Sequence, residues 1–139
     1  MTIETIRQTF VAAVEAAKAG FSDTNLEIQY ENRNTVDPLT QTKPYLDVEV
    51  QFGPGWQADL NDNPIHRITG LLILVARDKD GKGTAGVNNL LAHFYPKLQR
   101  RRIGPSLTEM AAFPGGKTVN GIYGQSAVIP FTADITYGT

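Results

Sequence analysis

The sequence predicts an α+β fold: a mostly antiparallel sheet of four to six strands with two helices packed on one face. Three observations lead there. Residues 2 to 19 and 84 to 95 repeat their apolar side chains at helical spacing, whereas 25 to 32, 45 to 52 and 127 to 137 alternate apolar and polar at the period of a strand. Turn-forming sequence, not long helical crossovers, joins most of the strands, which favours antiparallel neighbours with helices segregated to one face. With 139 residues, 41% hydrophobic and 19% charged, residues 1–139 read as one globular domain. A chain of that length buries roughly 65–70% of its unfolded surface and needs no disulfide or metal to hold it.

The first helix, residues 2 to 19, places Ile3, Ile6, Phe10, Ala13, Val14 and Ala17 on one stripe. Thr2 is placed to cap its start, and Gly20 suits the left-handed position after its end. In "NLEIQYEN" (25 to 32) Leu26, Ile28 and Tyr30 alternate with Glu27, Gln29 and Glu31. Residues 33 to 44 carry prolines and small polar residues without periodicity and read as a long loop. "YLDVEVQF" (45 to 52) sets Leu46, Val48, Val50 and Phe52 on one face and Tyr45, Asp47, Glu49 and Gln51 on the other. "GPGWQADLNDNP" (53 to 64) reads as turn sequence around Trp56, the only tryptophan.

A strand from about His66 to Arg77 follows, then a turn at "DKDG" (78 to 81). The second helix, from about Thr84 to Tyr95, presents Val87, Leu90, Leu91 and Phe94, with Leu98 a further candidate on the same stripe, and Pro96 predicts a boundary near Tyr95. "RIGPSLTEMAAF" (102 to 113) reads as one modest strand interrupted by Pro105, and "PGGKTVNG" (114 to 121) as a flexible link or hairpin. In the last strand Ala127, Ile129, Phe131, Ala133, Ile135 and Tyr137 alternate with Val128, Pro130, Thr132, Asp134 and Thr136. Pro130 has no N–H to donate, so this strand is expected at an edge or bulged there.

The strand from His66 to Arg77 breaks the rule that the others obey. Ile68, Leu72 and Leu74 fall on one face, and Leu71, Ile73 and Val75 on the other, so both faces are apolar. Two helices cover one face of a sheet. The second trio must find cover from another subunit or from the loops 33–44 and 53–64, since leaving it in water forgoes roughly 1.5–3 kcal/mol per side chain.

Composition narrows the function classes. A net charge of −1 gives no basic field for nucleic acid. The absence of cysteine removes disulfides, thiolate metal sites and cysteine nucleophiles. The amphipathic first twenty residues do not resemble a signal peptide, and the longest apolar run, Leu71 to Ala76, is too short to span a bilayer, so the expectation is a soluble protein made in a cytoplasm with no membrane partner.

No catalytic, cofactor-binding or metal-ligating set stands out. His93 has no His, Asp or Glu at helical spacing to pair with, which suits a core or interface histidine better than a ligand. "DKDGKG" opens like a calcium loop but has Asn89 where the bidentate glutamate belongs. "GKGT" lacks the glycine spacing of a phosphate loop, and Ser126 lacks the glycine of a nucleophile elbow. Asp47 and Glu49 share a strand face, a common arrangement on a solvated surface. The dense basic cluster Arg100, Arg101 and Arg102 fits a solvated helix C-terminus, an acidic protein partner or, less well, nucleic acid. Trp56 is either a loop anchor or an interface aromatic.

Several segments together resemble the tail terminator proteins of long-tailed bacteriophages. They are the amphipathic first helix, "LEIQYEN" before a long loop, "YLDVEVQFG", then "HRITGLLILVARDKDGKGTAGVNNLLAHF", and finally "AVIPFTADITY". The most telling part is Arg67 and Gly70 leading into an apolar strand, followed by a Gly-containing turn and a helix with Leu90, Leu91 and Phe94. The resemblance implies a non-enzymatic, cofactor-free virion protein, made in the host cytoplasm. It would form a homo-oligomeric, typically hexameric, ring on the head-proximal end of the tail. That ring would end polymerisation of the tail tube protein and meet the head-side connector, while DNA passes through its lumen unread. Related neck and head–tail connector proteins share the layout, and a small ligand-binding α+β domain is the alternative from another class. The resemblance brings no site residues with it. The interface positions expected from physics are Leu71, Ile73 and Val75, Trp56, and Arg100, Arg101 and Arg102.

Overall fold

In a computed structural model, the described residues are 3–23, 25–31, 43–57, 65–79 and 81–136. They form the expected α+β architecture, with elements in the order α1 (Ile3–Lys18), β1 (Ile28–Tyr30), β2 (Tyr45–Gln57), β3 (Ile65–Lys79), α2 (Ala85–Leu98), β4 (Arg102–Ile103), β5 (Ser106–Thr108), β6 (Lys117–Val119) and β7 (Ile122–Thr136). The strands make one sheet in the order β1-β2-β3-β7-β5-β4, with β6 also paired to β7.

The sheet is built on three long antiparallel strands, β2, β3 and β7. Leu72, for example, lies between Val50 and Ile129, and Leu74 between Val48 and Ala127. These side chains, with Ile68, Leu46, Phe131, Ala133 and Ile135, point to one face and are buried against both helices. The helices supply Ile6, Phe10, Val14 and Ala17 from α1 and Val87, Leu90, Leu91, Phe94 and Leu98 from α2. Gly70 of β3 sits between Phe52 and Phe131 in register. A Cβ there would meet the Gln51 carbonyl and come within 2.5 Å of the Phe131 ring. The missing side chain lets Phe131 fold across β3 to reach Phe10, with ring centroids 4.8 Å apart.

Several local expectations need correction. β1 is shorter than 25–32 and runs parallel to β2, not antiparallel. Glu31 prolongs that contact with a side chain: its Oε1 accepts from the Val50 amide at 2.9 Å. β2 does not stop at Phe52. It passes through Gly53 and Pro54 as an irregularity and resumes pairing at Gly55, so glycine and proline mark a bulge instead of a turn. α2 runs three residues past Tyr95 with Pro96 inside it. The extension buries Leu98, and Lys97 Nζ donates to the His93 carbonyl at 2.9 Å in that last turn.

Gly20 is not left-handed, because the positive-φ glycines are Gly81, Gly83, Gly104 and Gly121. The end of α1 is closed from outside instead: His93 Nε2 lies 2.7 Å from the Ala17 carbonyl, and Phe21 packs on the His93 ring at 5.0 Å. Thr2 and its capping role lie outside the described residues, as does most of the loop 33–44.

The stretch 102–113 is a small β4–β5 hairpin followed by a single bridge, Ala112 to Val128. Asn120 and Gly121, both at positive φ, turn β6 into β7 as a two-residue hairpin. β7 is consequently an interior strand, so of the two expectations for Pro130 the edge fails and the local irregularity is what is found. Pro130 is accommodated because the ladder on its N–H side is broken there: β5 pairing ends at Thr108 opposite Phe131, pairing resumes at Ala112 opposite Val128, and between them only the Glu109 amide bonds to the Pro130 carbonyl.

Candidate functional site: the open face of the sheet

Both helices pack on the face that carries Leu72 and Leu74. The opposite face of β3 presents Arg67, Thr69, Leu71, Ile73, Val75 and Arg77, and Leu71, Ile73 and Val75 are all only half-buried. Cross-strand register assembles a surface around them. Gln51, Glu49 and Asp47 of β2 stand beside Leu71, Ile73 and Val75. Pro130, Val128 and Ser126 of β7 stand on the other side. Beyond β7, Leu107 is opposite Thr132 and Arg102 is opposite Leu107, while Lys117 is opposite Gly124 and Val119 opposite Ile122. Leu107 and Val119 are 53% and 50% exposed. An apolar centre thus lies between an acidic column on β2 and a basic margin made by Arg102 and Lys117.

Two ion pairs close the ends of this surface. Arg67 Nε and Nη2 donate to the two carboxylate oxygens of Asp134 at 2.7 and 3.0 Å, a two-pronged contact that fixes the guanidinium in the plane of the carboxylate. The hydrogen bonds from Arg67 hold the Asp134 carboxyl below its ordinary range against the opposing effect of burial, and the Arg67 and Arg102 charges add to that lowering. Across the other end, Arg77 Nε reaches Asp47 Oδ2 at 3.2 Å. Three depressions of about 320, 380 and 340 Å³ lie along the face, the first around Leu71 and Pro130, the second around Arg67, Arg102 and Leu107, the third around Val75, Lys117 and Val119.

The predicted residues separate as follows. Leu71, Ile73 and Val75 come together as the centre of one face. Arg102 joins the same face at its margin. Arg100 and Arg101 are exposed in the turn between α2 and β4, with Arg100 at positive φ (53°). That turn is held by the buried Thr108, whose hydroxyl donates to the Leu98 carbonyl at 2.7 Å and accepts from the Arg101 amide at 2.9 Å. Trp56 pairs with Arg67 through its backbone, but its side chain lies outside the described residues. The loop 53–64, one proposed cover, also falls mostly outside them.

Sequence reasoning missed Val128, Pro130, Leu107 and Val119. The first two carried a usable signal, since they are apolar at the solvent positions of an otherwise alternating strand. The other two lie in strands of three residues, too short for any periodicity. Met110 and Phe113, 58% and 51% exposed, extend the apolar character of the segment after β5; Phe113 also packs edge-on against Tyr95 of α2 at 4.9 Å.

The chemistry of a metal centre is not gathered anywhere among the described residues, where no three His, Cys, Asp or Glu side chains are grouped to hold an ion. Asp78, the first acid of "DKDGKG", is buried and accepts from the Lys79 amide at 2.8 Å. A smaller cleft of about 220 Å³ between Phe21, Leu26, Pro44 and Leu90 is below the roughly 300–1,000 Å³ of ordinary small-molecule sites. Among the described residues no helix is long and apolar enough to cross a membrane.

No family model matches the chain, and no curated protein matches it. Thirteen solved chains do. One of them superposes with a TM-score of 0.68 at 14% identity, covering 100% of this chain and 99% of that one. At that identity the likeness shows the fold alone.

Proposed function

We propose that this chain is a structural protein of a bacteriophage tail, assembling as a ring that ends tube polymerisation and presents a surface to the head-side connector. The observation that carries it is the open sheet face: an apolar centre, left only partly buried while the opposite face packs against both helices, is a surface shaped for protein contact. Further support comes from the order of elements, with α1, β2, β3, α2 and β7 lying where the resembling segments fall. In this role the chain performs no chemistry and holds no cofactor. Arg100, Arg101 and Arg102 provide a cationic patch for an acidic protein surface, and DNA passes without being read.

Electron microscopy of tails assembled with and without the protein tests this. Overlong tails in its absence, restored to uniform length by adding it back, are expected. Tails of normal length beside detached heads would move the chain to the neck, and normal particles would overturn the reading altogether.

A further inference from the structure

The open face is asymmetric from one margin to the other, and the two margins match each other. On β2, Asp47 is engaged by Arg77, whereas Glu49 takes a hydrogen bond from Gln51 Nε2 at 3.2 Å and has no ion pair among the described residues. At the far margin Arg102, whose charge also acts on Asp134, and Lys117 make no ion pair among the described residues, and Arg100 and Arg101 lie in the turn before β4. Between them run Leu71, Ile73, Val75, Val128 and Pro130. Two identical faces brought together so that the acidic column of one meets the basic margin of the other would align apolar centre with apolar centre and unlike charge with unlike charge.

Size agrees with this occupant. From Arg67 to Arg77, β3 spans about 33 Å at about 3.3 Å per residue, and four columns at about 4.8 Å spacing give a width of about 19 Å. The projected area is about 600 Å², which the corrugation of side chains enlarges towards the roughly 800 Å² per partner of a standard interface. A lipid surface fits less well, because the β2 carboxylates would be driven against it.

We infer that the open face is covered by a second copy of this chain, with Glu49 of each contact lying over the Arg102–Lys117 margin of the neighbour. This rests on the self-assembling part of the reading above and not on the tail. Each copy gives and receives the same contact, so it closes as a two-fold pair, and a ring would be built from such pairs through a further surface.

Sedimentation velocity of the purified chain over a rising concentration series tests it, with three variants whose circular dichroism and unfolding midpoints verify the fold. The wild type should associate. Ile73→Lys should weaken association at least tenfold. Glu49→Lys alone, and Arg102→Glu with Lys117→Glu, should each weaken it severalfold. Mixing those last two variants should restore association to near wild-type strength, since every mixed contact again joins unlike charges. A wild type that stays monomeric at several hundred micromolar, an Ile73→Lys variant that associates normally, or a mixture no stronger than its components would each overturn the inference. Association through this face by a protein that leaves tail length unchanged would sink the tail reading alone; a strict monomer that still sets tail length would sink only this inference.

Discussion

The two faces of β3 are made of nearly the same residue types and have different fates. Leu72 and Leu74 are fully buried beneath α1 and α2, while Leu71, Ile73 and Val75, one position away along the same strand, are only partly buried. The difference lies in the neighbours. On the inner face the positions flanking Leu72 and Leu74 are apolar as well, Val50 and Val48 on β2 and Ile129 and Ala127 on β7. On the open face β2 contributes Asp47, Glu49 and Gln51. A sheet face flanked entirely by apolar residues belongs to the core of its own chain, whereas an apolar stripe bordered by charge has the composition of an interface, apolar at the centre and polar at the rim.

The largest break in this comparison comes from the inner face. Phe131 is 2% exposed and stacks against Phe10 and, edge-on, Phe52. Phe131→Ala should cost about 3–5 kcal/mol in denaturant unfolding, independently of protein concentration. Next comes Gly70→Ala. The added methyl would press on the Phe131 ring and the Gln51 carbonyl, and a loss of about 1–3 kcal/mol is expected. In the double variant Phe131→Ala/Gly70→Ala the two losses should fall short of additive, because removing the ring opens part of the space the methyl needs.

On the open face the expected numbers are smaller and depend on a different variable. Ile73→Thr keeps the β-branched shape and should cost less than about 1 kcal/mol in dilute protein, in line with surface substitutions generally. If a second copy covers Ile73, the loss should grow as concentration rises, because association stabilises only the folded wild type. Unfolding midpoints at two concentrations a hundredfold apart check this. A constant difference would make the open face an ordinary solvated surface.

The division of β3 into two faces was legible in the sequence because the period of a strand is two and leaves no freedom: once Ile68, Leu72 and Leu74 face the helices, Leu71, Ile73 and Val75 cannot. What was not legible depends on partners distant in sequence. Gly53 and Pro54 read as a turn, yet the strand resumes because β3 continues to offer a ladder opposite Gly55 to Gln57. Pro130 read as the signal of an edge or a bulge, and the choice between them is made by the neighbouring segment between Thr108 and Ala112, which supplies the irregularity. Gly20 read as a helix cap, but His93, 76 residues from Ala17, performs that function. Of the candidate site, the apolar centre was readable from alternation and Arg102 from its charge. The margin at Leu107, Lys117 and Val119 exists only through pairing with β7.

The smallest expected effect concerns the end of the open face. The Asp134 carboxyl has a folded pKa below its ordinary value, chiefly through the Arg67 hydrogen bonds. A depressed carboxylate contributes stability that is present above its unfolded pKa of about 3.9 and is lost as pH falls through the lower folded value. The side chains of Arg67 and Asp134 are 43% and 45% exposed, so water and salt screen most of the interaction. Asp134→Asn should therefore lower stability by only about 0.2–0.5 kcal/mol at pH 7. The difference should begin to shrink below about pH 4, vanish as pH falls through the lower folded value, and shrink likewise in high salt. Urea unfolding of both proteins at pH 7 and pH 3 measures it. A loss well above 1 kcal/mol, growing with protein concentration, would show that this pair is shielded from water when the protein associates, and would extend the covered part of the open face as far as Arg67.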